Sequence, residues 1–70
     1  MVRAMKTYFD IAWDIIDYWI EKEYDGNADA LQDEVGNLDY YAIRICEVLE
    51  EHDFDTSDIE TCALEVEFHL

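Results

Sequence analysis

The chain has no proline, two glycines, two cysteines and four basic residues, and these shortages narrow what it can do. Gly26 and Gly36 stand apart and form no phosphate-cradling loop, and four basic residues are too few to hold an anionic substrate. Direct binding to nucleic acid is excluded as well, because the dominant attraction to phosphate would be reversed in sign. Cys46 and Cys62 allow at most one disulfide where small secreted scaffolds carry several, so both read as reduced thiols of a cytoplasmic protein. Long apolar runs are missing too. Met1 to Lys6 resembles the basic start of a signal peptide, but from Asp10 onward an acidic residue interrupts every three or four positions. The expectation is therefore no signal peptide and no membrane span, and the acidity opposes anionic lipid surfaces. With no internal repeat or low-complexity stretch, residues 1–70 read as a single domain.

What is present is a core and a charge. Residues are 51% hydrophobic and 14% aromatic, too many for a disordered acidic tail. Against 4 basic residues stand 19 acidic ones, for a formal net charge of -15. Self-repulsion of that size costs stability, so the excess is not a stability device. Duplex DNA carries a similar charge in about 25 Å of its length, and a compact domain of this size is roughly 28 Å across.

Residues 7–24 organise the chain. Asp10, Asp14, Asp17 and Glu21 recur at steps of four, three and four, within an arc of about 60° on a helix. Arg3 and Lys6 extend the line backward. Most other positions of this stretch are apolar, so the apolar arc spans roughly 220°, twice an ordinary surface stripe. Phe9, Trp13, Ile16 and Ile20 lie on one flank, with Tyr8, Ile11, Ile15 and Tyr18 on the other. A small bundle is not expected to cover both flanks, which predicts a homodimer.

The periodicity predicts a first helix over 4–23, ending near Asp25-Gly26-Asn27. Asn27 caps a second over 28–35, with Ala28, Leu31 and Val35 inward, Asp29 and Asp33 outward and Gly36 closing it. A third follows Asn37 to about His52. Leu38, Tyr41, Ala42, Ile45, Val48 and Leu49 share one arc, and Asp39, Glu47, Glu50 and Glu51 lie largely opposite. Tyr40 and Ile43 sit inside this second acidic face, which suits a surface that touches a partner, although single exposed apolar residues are common.

Ser57 with Glu60 forms a capping-box pattern for a fourth helix presenting Ile59, Cys62, Ala63, Val66 and Leu70. A rival pattern competes with it, since Cys62, Leu64, Val66, Phe68 and Leu70 alternate as in a strand. The expected fold is all-α, a compact bundle of three to four short helices. The alternative is α+β, with a strand over 61–70 paired in a dimer.

Metal and catalytic patterns fail on inspection. Asp25, Asn27, Asp29 and Asp33 match ligand positions of a calcium loop, but Ala30 replaces the turn glycine and Gly36 the bidentate glutamate. Cys46, Cys62, His52 and His69 have the ligand types for zinc without its spacing, and Cys46 and His52 point about 120° apart on one helix. Paired carboxylates abound, but a domain this small has little room for a pocket that separates their pKa values. No enzyme, metal or cofactor is expected.

In length, charge and rows such as Asp10/Asp14/Asp17/Glu21, the chain resembles the small acidic anti-CRISPR and anti-restriction proteins of phages and mobile elements. Those families share no signature motif, so the resemblance implies a class of activity, stoichiometric inhibition without chemistry. It implies as partner a basic nucleic-acid-binding protein of host defence, such as a CRISPR effector or restriction enzyme. The outward faces supply the candidate partner-binding residues: Asp10, Asp14, Asp17, Glu21, Asp29, Asp33, Tyr40, Ile43, Glu47, Glu50 and Glu51. An alternative is an acidic adaptor or antitoxin-like module bound through the apolar flank of helix one. An ordinary domain of a salt-loving organism is a third reading, and the many large apolar residues, Trp13 and Trp19 among them, weigh against it.

Overall fold

Thr7 starts the first helix. Its hydroxyl accepts from the Asp10 backbone N–H at 3.1 Å while the Asp10 carboxylate accepts from the Thr7 N–H at 3.2 Å, a reciprocal cap that satisfies two end groups. The structure, a computed structural model, describes residues 6–70 and contains α1 (Tyr8–Glu23), α2 (Ala28–Val35), α3 (Leu38–Glu51) and α4 (Ile59–Glu67). Helix one thus begins at Tyr8 rather than residue 4, because Thr7 is extended and serves as the cap. Arg3 lies outside the described residues.

The fold is all-α, a small helical bundle with no strand among the described residues. The strand considered for 61–70 does not form: Cys62, Ala63 and Val66 bury one helical face of α4, and Leu64 and Phe68 point away from it. Helical spacing wins because a helix pairs its backbone groups locally, whereas a lone strand would leave them without partners.

Turn chemistry separates the elements. After α1 the chain passes through two left-handed residues, Asp25 at φ 52° and Gly26 at φ 80°, and the Gly26 N–H donates to Ile20 O at 2.9 Å. Asn27 then caps α2, so the calcium-like stretch is a turn followed by a cap. Gly36 at φ 89° ends α2, and the Asn37 side chain accepts from Asp39 N and Tyr40 N to start α3. The fourth cap is one residue later than its pattern suggests. Ser57 spends both its N–H and its hydroxyl on Asp55, at 3.0 and 2.7 Å, and Asp58 takes over, accepting from Glu60 N and the Thr61 hydroxyl.

The core joins Ile11, Ala12, Ile15, Ile16 and Trp19 of α1 to Leu31, to Ala42, Ile45, Val48 and Leu49 of α3, and to Cys62, Ala63 and Val66. Helix α1 packs on both α3 and α4, while α2 lies against α3. That central position accounts for the wide apolar arc. Ile11, Ile15 and Ile16 are buried and Trp13, Tyr18 and Ile20 half-buried, which leaves Tyr8 and Phe9 exposed in the first turn. Both flanks are covered largely within one chain, so the arc no longer argues for a dimer. Ala28, expected inward, is exposed beside the α2 cap, where Leu31 and Val35 suffice to seat a short helix.

His52 ends α3 and its ring lies 4.0 Å from that of His69, with Phe54 5.2 Å from the first and 5.5 Å from the second. This aromatic trio ties the connecting segment to the end of α4.

Candidate acidic interface

Each helix separates charge from core by its periodicity. On α1, Asp10, Asp17 and Glu21 are exposed and Asp14 is half-buried, on the side opposite Ile15 and Trp19. The row is not uniform. Asp10 is committed to the Thr7 cap, and the Asp14 carboxylate lies 2.5 Å from the Lys6 ammonium, the one ion pair among the described residues. Asp17 and Glu21 have no hydrogen-bond or ion-pair partner there.

Asp29 and Asp33 are exposed on α2. On α3, Asp39, Glu47, Glu50 and Glu51 are exposed and surround Tyr40 and Ile43, 74% and 46% exposed, as the pattern predicts. Glu50 also accepts a weak bond from the Cys46 thiol at 3.3 Å. Burial, followed by that bond, pushes the Cys46 thiol up, and burial does the same to Cys62. Neither thiol is in an environment that favours the reactive thiolate.

On α1 and α3 each row lies on the side of its own helix away from that helix's buried residues. The extents of the bundle are 39 × 27 × 20 Å, longer than a sphere of the same mass. Spreading fifteen net charges over 39 Å gives one per about 2.6 Å, between a duplex at about 1.7 Å and one of its strands at about 3.4 Å.

The placement of the acids is informative. Asp10, Asp29, Asp39 and Glu60 lie in first turns, where the helix dipole stabilises them. Glu50 and Glu51 end α3 and Glu67 ends α4, where it opposes them, and neither helix has a basic residue in its last turn. Each such carboxylate costs stability, by roughly 0.3–1 kcal/mol in ordinary exposed settings.

Tyrosines register the surrounding negative charge. Burial raises the Tyr18 hydroxyl above its usual pKa, and Glu60, Asp58 and Glu23 raise it further. Tyr41 is raised by burial and then by Glu67. Tyr24 donates to Glu34 and is pushed up to about 12, chiefly by that bond and then by burial.

The surface rows were legible from spacing, but a groove between α1 and α4 was not. It is lined by Tyr18, Trp19, Lys22, Glu23, Glu60, Thr61, Leu64 and Glu67. The available signal was that Leu64 and Phe68 fell off the apolar face of α4. Glu67 therefore belongs to a second acidic feature. Among the described residues no group of three or more metal-ligating side chains assembles, and no helix is long and apolar enough to cross a membrane. Comparisons with family models, characterised proteins and solved structures return no match, so residue roles rest on the geometry.

Proposed function

We propose that the protein is a non-enzymatic inhibitor that imitates nucleic acid and occupies the basic groove of a cytoplasmic host-defence protein, of the CRISPR-effector or restriction-enzyme kind. The observation that carries this reading is an exposed charge display with almost no ion pairing among the described residues. Of the 19 carboxylates none is buried, one is ion-paired among the described residues, and those ending α3 and α4 work against their own helices. Such a surface accelerates encounter with a basic partner by electrostatic steering.

Rows on two separate helices widen the charged surface that a basic groove would meet. Tyr40 and Ile43 then add apolar grip within the α3 face. The alternative of an adaptor bound through the apolar flank of helix one loses support, because that flank is mostly packed in the core.

The test is association kinetics with a captured target. Changing Asp17 and Glu21 together to lysine should slow association with little effect on dissociation, and added salt should slow the wild type in the same way. Unchanged association rates in both experiments would rule out steering by the rows.

A further inference from the structure

The groove between α1 and α4 combines features that the rows lack. It has a cavity of about 320 Å³, with Trp19, Tyr18 and Leu64 supplying apolar surface and Glu23, Glu60 and Glu67 supplying charge against Lys22 alone. A smaller hollow of about 120 Å³ shares Trp19, Glu23 and Glu67 and continues it toward Tyr24, Leu31 and Tyr41. Leu64 is 56% exposed, and Phe68 one turn on is 81% exposed, although α4 buries Cys62, Ala63 and Val66 on its other face. One stray apolar residue needs no explanation. Two adjoining ones beside a concave, acid-rimmed floor form a recognition surface.

We propose that this groove docks a basic segment of a partner protein: a large apolar side chain seats against Trp19 and Leu64, and flanking Lys or Arg side chains meet Glu23, Glu60 and Glu67. Charge decides among occupants. Nucleic acid and anionic lipid have the wrong sign, and a second copy of this chain would bring another net charge of -15. An enclosed small ligand is a poor fit, since the volume lies at the lower limit of about 300 Å³ for such sites and the groove is open. The negative field around Tyr18, due in part to Glu60 and Glu23, agrees with a cationic neighbour. This inference goes beyond charge imitation and stands whether or not the rows replace phosphates.

The test uses two capped hexapeptides, Lys-Arg-Phe-Leu-Arg-Lys and Lys-Arg-Ser-Ser-Arg-Lys, titrated into the isotopically labelled full chain and followed by NMR. The first should shift Lys22, Thr61 and Leu64 resonances and bind about tenfold or more tightly than the second, the expected return for burying one large apolar side chain. Leu64→Ser should lose a similar factor, and the paired change Glu60→Lys with Glu67→Lys should weaken binding further. Asp17→Lys with Glu21→Lys, on the outward row, should leave it within roughly twofold. All variants are checked for helicity by circular dichroism, and Leu64, being exposed, can change without opening the core. Equal affinity for the two peptides, equal loss from the row variant, or no shift at millimolar peptide would each overturn the proposal.

Discussion

Thr7 and Asp10 cap each other, hydroxyl to backbone N–H in one direction and carboxylate to backbone N–H in the other. The first residue of the acidic row is therefore also a structural residue, whereas Asp17 and Glu21 belong to the surface. Replacing Asp10 with lysine should destabilise the fold by about 1 kcal/mol or more, through loss of the cap and a cation at the positive helix end. Asp17→Lys and Glu21→Lys should each shift stability by no more than about 0.5 kcal/mol. Urea unfolding of the three variants checks this, and equal losses at all three positions would remove the distinction.

Salt should act in opposite directions on folding and on partner binding. With 19 acidic residues and one ion pair among the described residues, screening relieves more repulsion than attraction, so the melting temperature should rise with sodium chloride. Thermal scans across a salt series test it. A melting temperature that falls as salt is added would mean that attractive pairs dominate.

The core predicts the largest losses. Ile15, Ile16 and Ile45 are fully buried, and alanine at any of them should cost about 2–5 kcal/mol, a large share of the roughly 5–15 kcal/mol typical of a domain. Cys62, equally buried, should resist thiol reagents until the chain unfolds, while half-buried Cys46 reacts first. Timed labelling with and without denaturant separates the two.

Tyr24 should make the fold sensitive to alkali. Its hydroxyl is pushed up to about 12 in the folded chain, mainly by donating to Glu34, against about 10 when unfolded. Between these values the unfolded chain has lost the proton that the folded chain keeps. The stability is thus complete below pH 10 and lost as pH rises toward 12. Phenolate absorbance should show Tyr24 titrating late, alongside the raised Tyr18 and Tyr41, and Tyr24→Phe should remove one late-titrating group.

Periodicity made α2 and α3 legible nearly to the residue, because Asn27 and Asn37 are strong caps and Gly36 fits a positive φ. Ser57 misled by one position, since Asp55 competes for its polar groups, a contact that the capping pattern alone does not weigh. The width of the apolar arc on α1 was read correctly but its use was not. One helix placed against two others consumes such an arc without a second chain. The acidic rows followed from spacing within single helices. The groove could not, because Trp19 and Leu64 come together only through the packing of α1 on α4.

Competition with nucleic acid tests the central proposal most directly. Proteins captured from host lysate on the immobilised chain would be challenged with short duplex DNA and with RNA at constant ionic strength. The mimic reading predicts that the captured partners are basic nucleic-acid-binding proteins and that nucleic acid releases them in proportion to its affinity for each. Partners that stay bound to the chain while they also hold nucleic acid, or partners with no affinity for nucleic acid at all, would contradict it.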